Sequence, residues 1–183
     1  MKQNRNLKQA AIQRRKAPSP WIKYCAIFGV ILLIFACSMY AFRYISLDRE
    51  FHHNVKTFGE DTYKEIFSLR DTKAKAQSVL EQAEEAFSFV GTEEEAIERF
   101  GPLGRYCCKD PKAVSEEHTL DYIVSRIGED TGYIWVAYTQ TALDPGGEAV
   151  SAVGSAKNRI LSRWTVERHG NDIWIVTEVW EAP

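Results

Sequence analysis

The sequence predicts an α+β protein: one N-terminal transmembrane helix, then helices packed on one face of an antiparallel sheet. Three observations predict it. Residues 24–42 carry no charge. Residues 72–90 repeat apolar side chains at helical spacing, and after residue 118 the hydrophobic period changes to two.

The uncharged stretch lies between Lys23 and Arg43. As a helix it reaches roughly 28 Å, close to the thickness of a bilayer core. Ala17-Pro18-Ser19-Pro20 breaks the chain just before it, since proline resists continuing a helix. Residues 1–47 hold eight basic residues and no Asp or Glu, and seven of the eight precede the span. Short basic flanks stay inside. Residues 1–22 are therefore expected as a cytoplasmic tail and residues 23–43 as a single-pass helix in the cell membrane. Residues 44–70 are expected as a juxtamembrane helical segment, and residues 71–183 as an extracytoplasmic α+β domain. Trp21 and Tyr24 at one end, and Tyr40 and Tyr44 at the other, suit the two membrane interfaces. Ala36-Cys37-Ser38 resembles a signal-peptide cleavage site, and Ile34-Phe35-Ala36-Cys37 a lipobox into which Phe35 fits poorly. The apolar run continues through Met39, Tyr40, Ala41 and Phe42, which favours an uncleaved anchor over either.

Beyond the span, Ile45, Phe51, Val55, Tyr63, Ile66, Phe67 and Leu69 are apolar among charges, with Gly59 as a break. Ala76, Val79, Leu80, Ala83, Ala86, Phe87 and Val90 form one stripe. Asp71 or Thr72 is the expected N-cap and Gly91 the stop. A short helix begins at Thr92, where Glu95 three residues on makes a capping-box pattern, and Gly101-Pro102 stops it.

Strands are expected over 120–127, 133–143, 158–168 and 173–181, with a short one over 148–153. Asp144-Pro145-Gly146-Gly147 and His169-Gly170-Asn171-Asp172 are turn signals. In the last strand, strict alternation puts Trp174, Val176 and Trp180 on one face and Ile173, Ile175 and Val179 on the other.

Eight of the 23 basic residues and none of the 25 acidic ones precede residue 48, so residues 48–183 carry a formal charge of about −10. An acidic exterior argues against nucleic acid as partner. The bilayer is the expected partner of the span, and the basic tail reads as a topology signal. Cys25 and Cys37 lie in the span. Cys107 and Cys108 are neighbours, too close along a trans peptide for an ordinary disulfide, so one buried and one half-exposed thiol are expected.

Motifs for chemistry are missing. His52 and His53 sit near the membrane, His118 precedes a strand and His169 lies in a turn, so each is expected to be solvated. Asp121 and Glu178 read as wet-face carboxylates. No set of His, Cys, Asp and Glu has zinc spacing. Gly101-Pro102-Leu103-Gly104 lacks the Lys and helix of a phosphate loop, and no Gly-x-Ser-x-Gly occurs. No catalytic residue, metal or cofactor is expected.

The order of elements ends in the hairpin Arg163-Trp164-Thr165-Val166-Glu167 and Ile173-Trp174-Ile175-Val176-Thr177. Three helices followed by long twisted strands and such a hairpin resemble the nuclear-transport-factor-2-like, cystatin-like superfamily. The resemblance covers roughly residues 60–183. It implies a curved sheet wrapped on a helix, a cone with a pocket. Members include isomerases, dehydratases, ligand-binding modules and assembly domains, so the fold does not choose a function.

Aromatic residues crowd the strands. Tyr133, Trp135, Trp164, Trp174 and Trp180 are the candidate ligand or partner surface, with Trp174 and Trp180 placed on the face lacking an evident helix cover. The expected function is a membrane-anchored, extracytoplasmic interaction or assembly domain of the bacterial envelope. It is expected to be non-catalytic, and to work as a homo-oligomer or within an envelope protein complex. One alternative is a small-molecule or peptide-binding module using the cone cavity. The other is a scaffold subunit: a short inside tail, one span and a cone-like outer domain resemble the bitopic scaffold of type IV secretion and conjugation systems.

Overall fold

The computed structural model describes residues 20–59, 61–67, 70–170 and 173–181. Most of the basic tail, residues 1–19, and the turn residues Asn171 and Asp172 lie outside the described residues. The chain divides into two units, residues 1–46 and 47–183.

Helix α1 (Pro20–Phe58) starts at a proline, which a first turn tolerates. Its most apolar window has a mean hydropathy of 2.4 and buries nothing, so the helix is long and apolar enough to cross a membrane. Trp21, Tyr24, Tyr40 and Tyr44 all lie exposed along it. Tyr24 and Tyr40 are roughly 24 Å apart along the axis, and Trp21 and Tyr44 roughly 35 Å, which brackets a hydrocarbon core. In the second unit α1 behaves differently. Phe51 leaves helical dihedrals (φ −106, ψ 18), and both Phe51 and Val55 are buried. The expected break is present: Gly59 has φ +84, which favours glycine, and α2 (Asp61–Phe67) follows.

Helix α3 (Lys73–Phe87) buries Ala76, Val79, Ala83, Ala86 and Phe87 of the predicted stripe; Leu80 is partly buried, and Val90 lies beyond the helix and is exposed. Its C-cap is Ser88, ahead of the expected stop at Gly91. Thr72 is the N-cap residue, but its side chain makes no capping bond. The hydroxyl instead accepts the Ile127 N–H at 2.9 Å and meets Ser125 Oγ at 2.9 Å. Helix α4 (Glu93–Phe100) carries the predicted capping box. The Glu95 N–H donates to Thr92 Oγ1 at 3.3 Å and the Thr92 N–H to Glu95 Oε2 at 3.1 Å. A 3-10 helix, η1 (Gly101–Tyr106), follows. Gly104 has a packing role, because a Cβ there would stand 2.5 Å from the Ala96 backbone of α4.

Among the described residues five antiparallel strands complete the domain: β1 (Ser115–Ile127), β2 (Thr131–Leu143), β3 (Ala149–Val153), β4 (Ile160–His169) and β5 (Ile173–Glu181). The open sheet runs β1-β2-β4-β5, and β3 pairs with the remaining length of β2. The Asp144 turn is an Asx turn: Asp144 Oδ1 accepts the N–H groups of Gly146 (2.8 Å) and Glu148 (2.9 Å). β1 starts earlier than expected, at Ser115.

Three register shifts occur among the described strands; one lies in β3 opposite Ala142 and Leu143, and the other two change which core side chains share a face. Register shifts between Tyr122 and Val124 in β1, and opposite Thr165 and Val166 in β5. An extra residue in one strand reverses the alternation beyond it. One face presents Ile134, Val136, Tyr138, Trp164, Val166, Trp174 and Val176 to α3 and η1. The other presents Val124, Trp135, Ala137 and Leu161 to Phe51, Val55 and Ile66. The sheet is therefore covered on both faces, not on one as expected. The cause lies in the residues read as juxtamembrane, whose apolar side chains pack on the second face.

Candidate partner face

The second face is only partly covered. Towards β5 it presents Tyr133 from β2, Arg163 from β4 and Trp180 from β5. Tyr133 is 38% exposed and Trp180 41%. The Arg163 guanidinium lies 4.4 Å from the Trp180 ring centre, 4.9 Å from Tyr133 and 5.8 Å from Trp135. Each is within cation–π range. Phe58 stands edge-on to Trp135 (5.0 Å) and to Trp180 (4.9 Å), pinning both rings. Trp135 itself is fully buried and donates its Nε1–H to Glu65 Oε2 at 2.9 Å. Arg163 Nε is buried with no hydrogen-bond partner among the described residues. Ile173 adds an exposed apolar side chain at the start of β5.

Three of the five aromatics singled out in the sequence, Tyr133, Trp135 and Trp180, thus meet around one arginine. The other two do not join them. Trp164 is fully buried on the opposite face and donates to the Tyr106 hydroxyl at 2.8 Å. Trp174 is 4% exposed, on that same face, with the Lys75 ammonium 5.7 Å from its ring centre. The expectation that Trp174 and Trp180 share an uncovered face fails because the β5 bulge lies between them. Arg163 was not singled out. Its signal was present in the sequence: a cation alternating with buried positions on an aromatic-rich strand.

No protein-family model, curated protein or solved structure matches this chain.

Other polar groups form ties between elements. His118 is not solvated as expected. It lies within β1, stacks on Phe87 at 5.0 Å, and its two ring nitrogens meet Glu84 Oε2 (2.7 Å) and Glu116 Oε2 (3.0 Å). Burial alone would lower its pKa, but the bonds to Glu84 and Glu116 and their charges raise it. Burial raises the Glu116 pKa, against the bond from His118. With both nitrogens engaged, the ring ties α3 to β1. Among the described residues no cluster of His, Cys, Asp and Glu has the geometry to hold a metal.

Arg159 bonds Glu50 of α1 and Asp121 of β1, so Asp121 is an ion-pair partner. Glu178 is on the wet side as expected, accepting from Thr165 Oγ1 at 3.3 Å. Cys107 and Cys108 are free and both buried, not one half-exposed as expected, and burial raises the Cys107 thiol. Under η1 the Tyr106 hydroxyl donates to Glu181 Oε1 (2.8 Å), accepts from Trp164, and meets Ser162 Oγ at 2.8 Å. Burial and the Glu181 charge push the Tyr106 and Tyr138 hydroxyls upward.

Proposed function

We propose that the chain is a single-span, membrane-anchored domain held outside the cytoplasm. It works as a non-catalytic assembly unit of a bacterial envelope and pairs with a second copy of itself through the Tyr133–Arg163–Trp180 face. The observation that carries this is the half-exposed pair Tyr133 and Trp180, which hold a cation between them while their neighbour Trp135 is sealed. Tyr, Trp and Arg are the residues that anchor protein interfaces. Buried further by a partner, the Arg163 stack would strengthen, because desolvation raises the worth of a cation–π contact.

A second copy suits this face because it carries both signs. A two-fold contact sets a patch against itself, so a patch with Arg163 and Glu178 is self-complementary. The apolar length of α1 and the basic flank before it support the anchor and its orientation. The cone-like shape that the superfamily resemblance implies belongs to the same proposal. The bulges in β1 and β5 support it, since a bulge bends and twists its strand.

The test is photo-crosslinking of the full chain in membranes. A benzophenone amino acid replaces Tyr133, with Lys157 as a control position. The expected product has twice the mass of the chain and arises from position 133 alone. An adduct to a different protein, or no product, overturns self-association.

A further inference from the structure

β1 is an outer strand, and among the described residues no other strand pairs with its free edge. The protein covers half of that edge itself. The Thr72 N–H donates to Ser125 O (3.3 Å), Asp71 Oδ1 accepts the Ser125 N–H (3.3 Å), and Thr72 Oγ1 accepts the Ile127 N–H (2.9 Å). These bonds show that Ser125 and Ile127 direct their backbone groups outward. Counting back along unbroken β2, past the bulge, Glu116, His118, Leu120 and Tyr122 do the same in the other half. Among the described residues no backbone bond reaches those four from outside the sheet. Exposed strand edges of this kind are templates for another strand.

Beside the open half runs a groove of about 380 Å³ between α3 and β1. Leu80, Leu120 and Tyr122 supply its apolar surface. Its charged lining is Glu81, Glu84 and Asp121 against Lys73; Glu84 also meets His118 and Asp121 pairs with Arg159, which leaves Glu81 as the carboxylate most open to an incoming cation.

We propose that this groove takes an extended, basic peptide segment of a partner protein, which adds to β1 as a further antiparallel or parallel strand. The row of outward N–H and C=O groups selects an extended backbone. Alternate side chains of that strand face the groove, where Leu80, Leu120 and Tyr122 take the stem of a Lys or Arg and Glu81 and Glu84 at the rim take its charged head. The site goes beyond the self-association proposed above: it uses β1 and α3, whereas that face uses β2, β4 and β5. Each can fail without the other.

The experiment uses the full chain in phosphatidylcholine nanodiscs, a neutral surface that does not adsorb a cationic probe. Three labelled heptapeptides are titrated by fluorescence anisotropy: Lys-Val-Lys-Thr-Lys-Val-Lys, the same peptide N-methylated at alternate residues, and its Glu counterpart. The basic peptide should saturate, and N-methylation should weaken it at least about tenfold, since each blocked residue loses a ladder bond. The Glu peptide should not bind. Glu81 is exposed, and among the described residues its hydrogen bond is to Gln77 of the same helix. Glu81→Lys should therefore weaken the basic peptide several-fold while leaving circular dichroism unchanged. Equal binding of the N-methylated peptide would reduce the site to surface charge and overturn the proposal. So would saturable binding of the Glu peptide, an unaffected Glu81→Lys variant, or no saturation by the basic peptide up to about 1 mM, where binding is worth only about 4 kcal/mol.

Discussion

Replacing Tyr106 by Phe removes one oxygen from a buried polar cluster of the domain. The hydroxyl has one proton, which goes to Glu181 Oε1 at 2.8 Å. It therefore accepts from Trp164 Nε1–H and from the Ser162 hydroxyl, each at 2.8 Å. Trp164 and Ser162 are both 0% exposed, so Tyr106→Phe leaves two donors without water to replace their acceptor. An orphaned buried polar group costs about 1–3 kcal/mol, so the expected loss from two is about 2–6 kcal/mol. Glu181 keeps Arg105 at 3.3 Å and adds little to that loss. For a domain of this size about 3 kcal/mol corresponds to a drop of roughly 10 °C in Tm. The assay is urea unfolding of the detergent-solubilised chain, followed by tryptophan fluorescence, with an unchanged m-value. Adding Ser162→Ala to Tyr106→Phe removes one orphan, so the double variant should lose about 1 kcal/mol less than the sum of the singles. A loss under about 1 kcal/mol for Tyr106→Phe would show that this hydroxyl does not satisfy those donors, and would refute the argument.

Three further outcomes are expected. His118 should titrate above the ordinary 6.5 by proton NMR, since Glu84 and Glu116 hold its charged form. A raised folded pKa adds stability that is complete below about 6.5 and lost as pH rises through the folded value. The unfolding midpoint should therefore fall across that window, and His118→Gln should flatten the slope; a pKa at or below 6.5 contradicts the tie. Thr92→Ala should cost about 1 kcal/mol of unfolding free energy by loss of the capping box, and a neutral result would show that the box contributes nothing. Protease added outside spheroplasts should digest the C-terminal domain and spare the basic tail; digestion of the tail alone would invert the topology.

Much of the fold is legible in the sequence where one local rule acts alone. The capping box at Thr92 and Glu95, the stripe of α3 and the Asx turn at Asp144 each depend on residues within a few positions. The apolar span is legible for the same reason. What escaped depends on distant partners. The β5 bulge leaves no periodic mark, and it places Trp174 and Trp180 on opposite faces. The sequence places the start of β1 at Leu120, after the charged stretch of Glu116 and His118; His118 is held there by Glu116 and by Glu84 of α3. Phe51 and Val55 read as part of a juxtamembrane helical segment, yet with Phe58 they cover part of the second face, and Phe58 stands edge-on to Trp180. The candidate face was thus half legible. Its aromatics announced themselves by composition, while Arg163 and the separation of Trp174 from Trp180 follow only from register.

Native mass spectrometry of the full chain released from detergent micelles tests the central claim most directly. The account predicts a dimer at low micromolar protein. The Trp180→Glu variant should appear as a monomer, because it sets a carboxylate on each side of the two-fold contact. A wild-type chain that appears as a monomer, or a dimer that survives Trp180→Glu, would contradict assembly through this face.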